Sequence, residues 1–417
     1  MVSRRGFLAV AGAGWGWLTP VGRLLARRAE AEGSRGPARS VILLWLAGGP
    51  SQLETFDPHP DTKIAGGTRA IETAARGIRL AEGFEQLAGE MGSISLVRSM
   101  VSKEGDHERG TYMLKTGHRP DPTVDFPSIG AVCCHELPVG AVDIPRHVSI
   151  LANQWPSRGG FLGSEFDAFQ VGDPVKKLPD VAARVSAERD QRRTLDLDVV
   201  DRAFGRHRRV DLDALPQRQA IAAARAMMTS DQLKAFDVSQ EPAGARAEYG
   251  DSPFGRGCLA ARRLIEAGVR CVEVTLGGWD SHVNNHETQG RLVRALDPAF
   301  AALIRDLRRR ELLDHTVVLC CGEFGRTPRI NPFGGRDHWP TGFSLAMAGG
   351  GLRGGFALGE TDPEGLEDPV RPTTVEDVHA TILTTLGLNP AKENVDPRTT
   401  RPLKLSDGKP IRELIRT

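Results

Sequence analysis

The sequence predicts an α/β protein built as a three-layer α/β/α sandwich, with a mostly parallel central sheet. Short, continuously apolar runs alternate with amphipathic helical segments along the 417 residues. A strand without polar alternation is buried on both faces, and such strands joined by helices form parallel sheets. Hydrophobic residues make up 40% of the chain and charged residues 26%, which excludes a disordered or fibrous protein.

Six apolar runs are the predicted strands. The first is SVILLWLA at residues 40–47, which Gly48, Gly49 and Pro50 bring to an end. The other five follow in order at residues 93–100, 147–151, 270–276, 316–321 and 343–348. In an open parallel sheet, ligands bind beyond the carboxyl ends of the strands. The residues that follow each run are therefore the place to look for chemistry.

The helices are predicted most clearly at residues 216–228, 256–267 and 289–310. In the last of these segments an apolar stripe recurs with the helical period, formed by Leu292, Leu296, Phe300, Leu303 and Leu307. Residues from about 159 to 255 differ, because they are rich in Arg and Asp and contain few strand-like runs. We predict that they form a mainly helical insertion in one large domain, residues 32–417.

The N-terminus has the order of an export signal. Arg4 and Arg5 precede an apolar run at residues 7–21, and a basic pair at 27–28 precedes a small-x-small cleavage site at 29–31. This pattern predicts a twin-arginine signal peptide at residues 1–31, export of the folded chain by the twin-arginine machinery, and a periplasmic or secreted protein. The run is too short and too rich in glycine for a stable membrane span.

Charge and cysteine content argue against a nucleic-acid partner and against a disulfide framework. The formal net charge is +1, so no nucleic-acid partner is expected. The six cysteines include two adjacent pairs and no Cys-x-x-Cys motif, so we expect buried thiols in place of a disulfide framework.

Carboxylates follow four of the six predicted strand ends, and two of these loops add histidines. The strongest candidates for a shared metal site are Asp280, His282, Glu323, Asp337 and His338, with Glu54 and Asp57 as further candidates. Carboxylate oxygens with imidazole nitrogens are a ligand set for Zn²⁺ or Mn²⁺. We predict one or two such ions at the strand ends. Each residue alone is more typical of a turn, a helix cap or a hydrogen-bonded side chain than of a metal site, and only the grouping predicts a site.

Two arginines in the same loops fit an anionic substrate. Arg326 follows the strand at 316–321, and Arg336 lies in the short glycine-rich loop after it. A guanidinium can hold two oxygens of a phosphate or sulfate group at once. We therefore expect both arginines to bind the non-bridging oxygens of an ester.

Long motifs run from the first strand almost to the C-terminus. They are GGPSQLETFDPHP (48–60), HERGTYMLKTGHRP (107–120), GWDSHVNN (278–285), GEFGRTPRIN (322–331), GRDHWP (335–340) and VEDVHATILTTLGL (375–388). By these motifs the chain resembles an exported bacterial family catalogued as domain of unknown function 1501. That family is grouped with the alkaline phosphatase and sulfatase superfamily. The resemblance implies an α/β/α sandwich with one or two metals at the strand ends.

The sulfatase nucleophile motif, C-x-P-S-R-x-x-L-x-T-G-x-x-P, is only partly present. Four of its positions are matched, by Leu114, Thr116, Gly117 and Pro120. In that register His107 occupies the place of the nucleophile, and Thr111 the place of the arginine. His107 is then a metal ligand or a nucleophile, and we favour a ligand. Thr111 or Ser51 can instead supply a hydroxyl activated by the metal.

These observations leave two functions. The first is an exported metal-dependent hydrolase that acts on phosphate or sulfate esters of a small molecule or a glycan. The second is a non-catalytic periplasmic binding or assembly protein on the same fold. The missing nucleophile favours the second, and the retained carboxylate and histidine cluster favours the first.

Overall fold

A computed structural model describes residues 36–179, 181–205, 216–366 and 368–416. The predicted signal peptide lies outside the described residues. The described strands are β1 (Ser40–Ala47), β2 (Ala70–Glu72), β3 (Arg79–Ala81), β4 (Ile94–Val101), β5 (His147–Ile150), β6 (Phe169–Val171), β7 (Cys271–Gly277), β8 (Thr316–Cys321), β9 (Gly325–Arg326), β10 (His338–Trp339), β11 (Phe343–Ala348), β12 (Phe356–Leu358), β13 (Thr373–Thr374), β14 (Glu393–Val395) and β15 (Pro402–Lys404). The described α-helices are α1 (Glu85–Glu90), α2 (His107–Thr116), α3 (Ile129–Glu136), α4 (Ala187–Gly205), α5 (Pro216–Thr229), α6 (Ala243–Glu248), α7 (Pro253–Glu266), α8 (Asn285–Arg309) and α9 (Val375–Thr385).

The central sheet is mostly parallel, which confirms the predicted class. Its strand order is β12-β4-β11-β8-β1-β7-β5-β6, and β13 pairs with β4 at the same sheet. The pairs of β1 with β7 and β8, of β5 with β6 and β7, and of β4 with β12 and β13 are parallel. Among the described strands of this sheet, only β11 runs antiparallel, against β4 and β8. The short hairpin β9–β10 leads into β11 in place of a crossover helix, and a parallel connection needs such a crossover.

Strand β1 lies at the centre of the sheet and divides the core in two. Ile42 and Leu44 belong to one buried cluster, which includes apolar residues of α1, α7 and α8. Leu43 and Trp45 belong to the other, which includes residues of α2, α3 and α9. Because successive side chains of a strand point to opposite faces, helices cover both faces of the sheet. The three predicted layers are confirmed.

The six predicted strands all form, with boundaries shifted by two residues or fewer. Two of the predicted helices begin three or four residues earlier than their apolar pattern does. Helix α7 begins at Pro253 because Ser252 caps it, accepting a hydrogen bond of 3.0 Å from the backbone N–H of Gly255. The apolar period marks where a helix packs, whereas the cap marks where it starts.

The region predicted as a helical insertion also contributes a strand. Residues 159–255 contain α4, α5 and α6, and they also contain β6, which pairs with β5 at the edge of the sheet. Three residues are too few to show a strand period in the sequence. No helix of the described residues combines the length and apolar character that crossing a bilayer requires. All six cysteines lie in the described part of the chain, where they are buried and free.

Candidate metal centre

Three neighbouring strands bring their carboxyl ends to one edge of the sheet. Trp45 of β1 is level with Cys321 of β8, and Ala47 is level with Gly277 of β7. The backbone N–H of Gly48 then donates a hydrogen bond of 2.9 Å to Glu323 Oε1. Gly48 has φ of 117°, and a Cβ on it would lie 2.6 Å from the backbone nitrogen of Asp280. The approach of the loops after β1 and β7 therefore requires glycine.

Helix α2 presents His107 to this edge. Asp106 caps the helix, because its side chain accepts a hydrogen bond of 2.9 Å from the N–H of Arg109. His107 is therefore the first helical residue, next to the loops from β7 and β8. Its Nδ1 lies 2.7 Å from Glu323 Oε1, and its Nε2 lies 3.4 Å from Asp280 Oδ2.

The β9–β10 hairpin supplies His338. In the hairpin His338 pairs with Arg326, which lies just past the end of β8. His338 Nδ1 lies 2.8 Å from the carbonyl oxygen of Gly105, and its Nε2 lies 3.3 Å from Asp280 Oδ1. This pairing therefore brings His338, which lies twelve residues after Arg326 in the chain, to the loops that follow the three strands.

His282 completes the group. Its Nδ1 lies 3.0 Å from Asp337 Oδ1, and its Nε2 lies 3.1 Å from Asp280 Oδ1 and 3.1 Å from His338 Nε2. Asn331 steadies this side, because its amide donates to the carbonyl of His282 at 3.0 Å and to Asp337 Oδ1 at 3.2 Å.

The three imidazoles share one arrangement. The Nδ1 of His107, His282 and His338 each faces an oxygen, which favours the tautomer with its proton on Nδ1. In that tautomer each Nε2 directs a lone pair towards Asp280. The ligand atoms of His107, Asp280 and His338 all lie within 4.8 Å of one another. Histidines fixed at Nδ1 by an oxygen, with Nε2 converging beside a carboxylate, fit a divalent cation.

The electrostatics also favour a cation. Burial alone would raise the pKa of Asp280, but the hydrogen bond and positive charge of Arg326 outweigh it and lower that pKa to about 2. The hydrogen bond with Glu323 raises the pKa of His107 against the effect of burial, and Asp280 adds to it. Burial lowers the pKa of His338. Asp280 is thus ionised, and it attracts positive charge to the point where the rings meet.

The sequence profile of the family described as protein of unknown function (DUF1501) matches residues 38–415. The chain belongs to this family. No curated protein matches it.

Several solved structures resemble this DUF1501 chain in fold. The PsFucS1 sulfatase from Pseudoalteromonas sp. is 12% identical, with a TM-score of 0.42, over 87% of this chain and 70% of that one. A protein in the alkaline phosphatase superfamily from Vibrio parahaemolyticus is 13% identical, with a TM-score of 0.39, over 85% and 67%. The alkaline phosphatase from the Antarctic bacterium TAB5 is 12% identical, with a TM-score of 0.37, over 85% and 99%.

Arg326 and Arg336, the two arginines predicted to bind an anion, point into the interior of this DUF1501 chain. Arg326 is fully buried, and it donates to the carbonyls of Gly48 and Gly49 as well as to Asp280. Arg336 is also fully buried, and each of its three nitrogens donates to protein oxygens. In this arrangement the two guanidiniums hold the loops and Asp280 in place and are occupied by protein acceptors.

Glu54 and Asp57 lie in separate hydrogen-bond networks. Glu54 accepts hydrogen bonds from Arg336 at 2.9 Å and from Thr68 at 2.9 Å. Asp57 accepts one of 2.6 Å from the N–H of Thr361 and lies 3.5 Å from Arg98. Neither belongs to the His107, Asp280 and His338 group that the described residues form. Their contacts are those of buried carboxylates that join loops.

Two buried hydroxyls belong to segments that form the site: Thr111 lies in α2, and Ser51 lies in the loop after β1. Thr111 lies one helical turn after His107 and is 1% exposed, and its Oγ1 has no hydrogen-bond partner among the described residues. Ser51 is fully buried, and its Oγ likewise lacks a partner in the part of the chain that the structure describes. An unpaired buried hydroxyl is uncommon in a folded protein.

Three residues of the site were missed by sequence reasoning. The carbonyl of Gly105 could not be foreseen, because any residue carries one. Asn331 ends the motif GEFGRTPRIN, so its place in the motif was a usable signal. Trp155 follows β5, and its ring stacks on His107 with centroids 6.4 Å apart. The loop after β5 lies at the same edge of the sheet as the loops after β1, β7 and β8, because β5 is parallel to β7, but it contributed no candidate residue to the sequence prediction.

Proposed function

We propose that this chain is an exported, metal-dependent hydrolase of phosphate or sulfate esters. One observation supports the proposal above all others: three imidazoles, each fixed at Nδ1, converge at Nε2 on a single ionised carboxylate. Metal-assisted hydrolysis of such esters needs a cation that the substrate can reach, and the carboxyl-end edge of an open parallel sheet is where such a fold binds ligands.

His107, His282 and His338 would hold the ion through Nε2, together with Asp280. Imidazole-rich ligand sets suit Zn²⁺ and Mn²⁺ better than Mg²⁺. When bound, the ion would stabilise negative charge on the oxygens of the ester group. We propose one ion, because the ligand atoms of His107, Asp280 and His338 form one group and His282 Nε2 lies 3.1 Å from both Asp280 Oδ1 and His338 Nε2.

The surrounding side chains act as positioning residues. Glu323 and Asp337 hold the Nδ1 protons of His107 and His282, which fixes the tautomer that leaves Nε2 free. Arg326 keeps Asp280 ionised and at the same time ties it to the loop after β1. These contacts form a preorganised site on strand ends and a helix start, where backbone movement is small.

His107 is a ligand in this proposal and not the nucleophile. Its Nε2 faces Asp280, so using it for attack on phosphorus or sulfur would remove it from the group. Thr111 remains the better placed hydroxyl, because it lies on the same face of α2 one turn later. We propose that Thr111 Oγ1 contacts the ester and is the candidate nucleophile.

The first experiment measures metal and hydrolysis together. Protein purified without chelator is analysed for Zn, Mn and Mg, and is assayed with an aryl phosphate and an aryl sulfate. We expect about one ion per chain and turnover of one of the two esters. Asp280→Asn is expected to lose both metal and turnover.

Asp106→Asn is the matched control. It removes a carboxylate next to His107 but keeps a good helix cap, so metal and turnover should remain. Protein that takes up neither Zn²⁺ nor Mn²⁺ contradicts the proposal. Protein that binds metal and hydrolyses neither ester supports the alternative, a metal-containing binding or assembly protein.

We also propose that residues 1–31 direct export by the twin-arginine route and that residues 32–417 are the mature domain, with residues 159–255 as its helical insertion. The proposed location is the periplasm or the medium. The route carries folded chains, so the metal centre would be complete before export.

A further inference from the structure

A small cavity adjoins the metal centre on the side of α2. Its volume is about 250 Å³. Trp155 forms the wall between the two, because it lines the cavity and its ring also stacks on His107 at an angle of 17°. Two hydrogen bonds hold the backbone of Trp155. Its backbone N–H donates to Asn153 Oδ1 at 3.1 Å, and its backbone carbonyl accepts from Lys115 Nζ at 2.9 Å. A group bound in the cavity would lie beside a reacting ester.

The inner lining of the cavity is polar and buried. Thr111, Lys115 and Ser157 all line it, and they are 1%, 3% and 4% exposed. Lys115 Nζ and Ser157 Oγ both donate to Glu273, at 2.9 Å and 2.7 Å. Thr111 lines the same space, and its buried Oγ1 has no hydrogen-bond partner in the described part of the chain. A buried hydroxyl in that state costs free energy until a ligand or water meets it.

The charges around the cavity are balanced. Two acidic residues, Glu108 and Asp125, and two basic residues, Lys115 and Arg158, line it. Arg158 lies 3.2 Å from Asp167, and Lys115 is paired with Glu273 as described above. A ligand with a net charge of either sign would meet a like charge here, whereas a neutral ligand with many hydroxyls finds both donors and acceptors.

Aromatic rings complete the lining. Trp155, Tyr112 and Phe126 contribute them. Tyr112 Oη accepts a hydrogen bond of 2.7 Å from the N–H of Phe126, which leaves its own proton to donate. Burial raises the pKa of Tyr112 to about 12, so the O–H stays protonated. Flat apolar faces beside hydroxyl and carboxylate groups match a sugar ring, whose C–H face is apolar and whose rim is polar.

We infer that this cavity is the subsite for a single neutral pyranose ring, and that the alcohol released from the ester is a sugar. The inference rests on the proposed hydrolase function for its catalytic meaning. The binding of the ring itself does not depend on turnover. A cavity of this size has room for about one ring, so a longer glycan would extend from it into solvent.

The test measures sugar binding to the metal-loaded protein by calorimetry. The probes are methyl pyranosides of glucose, galactose, mannose, fucose and xylose. Choline is titrated separately as a cationic ligand for comparison. We expect one or more of the pyranosides to bind and choline not to bind. Trp155→Ala should weaken the binding by about tenfold, and Trp155→Phe should retain most of it.

Metal content of each variant shows that the fold and centre are intact. Phe333→Ala is the matched control, since it removes an aromatic ring that is 74% exposed and outside this lining, and it should leave sugar binding unchanged. Failure of every pyranoside to bind, or binding that Trp155→Ala leaves unchanged, overturns the inference. Preferential binding of choline also overturns it.

The two proposals fail separately. Hydrolysis of aryl esters without any pyranoside binding removes the sugar subsite and leaves the hydrolase. Pyranoside binding that depends on Trp155, without hydrolysis of any ester, leaves the subsite and removes the hydrolase.

Discussion

His282 Nε2 lies 3.1 Å from His338 Nε2, and the Nδ1 of each ring faces an oxygen acceptor. With both protons on Nδ1, the two Nε2 atoms bring lone pairs together, and this is favourable only with positive charge between them. The same pair of atoms lies within 3.3 Å of Asp280 Oδ1. A divalent cation satisfies all three groups at once.

Removing Asp337, which faces Nδ1 of His282, tests how far metal affinity depends on the orientation of that ring. Asp337 accepts from His282 at 3.0 Å, and this hydrogen bond is the main cause that lowers the pKa of Asp337. We expect Asp337→Ala to lower Zn²⁺ affinity by about 10- to 100-fold while His282 remains in place. Competition with a chelator measures it. Asp231→Ala, which removes an exposed carboxylate elsewhere, should have no effect. Equal affinities in the two variants would contradict the assigned role.

Substitutions at Thr111 separate the role of its hydroxyl in turnover from its effect on stability. Its Oγ1 is buried without a partner among the described residues, so Thr111→Val should leave the free energy of unfolding unchanged or raise it by about 1 kcal/mol. The same variant should keep its metal and lose ester turnover, whereas Thr111→Ser should keep part of the turnover. Denaturant unfolding, metal analysis and the aryl ester assays are the measurements. Full turnover in Thr111→Val would transfer the nucleophile role to water or to Ser51.

Export is tested at the arginine pair. We expect Arg4→Lys combined with Arg5→Lys to leave folded precursor in the cytoplasm, because the twin-arginine machinery reads the pair itself. Cell fractionation with an antibody to the chain measures the distribution. Replacing Arg27 and Arg28 by Lys is the matched control and should preserve export. An unchanged periplasmic or secreted yield of the first variant would show that another route is used.

A buried ion pair under the sheet should contribute to stability. Lys115 Nζ lies 2.9 Å from Glu273 Oε1, and the two residues are 3% and 1% exposed. Lys115→Met leaves a buried carboxylate without its cation, and we expect it to lower the free energy of unfolding by about 3 kcal/mol. Lys103→Met, at an exposed lysine, should change it little. Similar unfolding curves for the two variants would show that the serines around Glu273 compensate for the charge.

Acid should destabilise the protein through His379. Burial lowers its pKa to about 4, while its Nε2 donates to the carbonyl of Leu114 at 2.9 Å. The unfolded chain takes up this proton near pH 6.5 and the folded chain only near pH 4. Stability from the neutral ring is thus complete above pH 6.5, and it is lost as the pH falls towards 4, by about 3 kcal/mol in total.

The comparison for His379 is a variant that keeps the hydrogen-bond donor and does not titrate. We expect His379→Gln to be less stable than the wild type at pH 8 and to show a smaller loss of stability between pH 6.5 and 4. Denaturant unfolding at a series of pH values gives both slopes. Parallel slopes would mean that other groups carry the acid sensitivity.

The layered fold and part of the centre followed from the sequence, for a local reason. Continuous apolar runs mark β1, β7 and β8 as parallel strands, and parallel strands bring their carboxyl ends to one edge. Asp280 and Glu323 follow two of those ends directly, so their meeting at that edge could be predicted without knowledge of distant contacts. His107 was predicted as a site residue because the motif around it resembles the sulfatase nucleophile motif.

Tertiary structure decided the direction of each side chain. His338 reaches the centre because β10 pairs with β9, and this two-residue pairing leaves no period in the sequence. Arg326 and Arg336 share the loops of the site but turn inward, since buried carbonyls and carboxylates there must be paired. Trp155 meets His107 only when the loop after β5 packs against α2. Each of these outcomes depends on contacts between residues far apart in the chain, and a pattern read along the sequence contains no such distances.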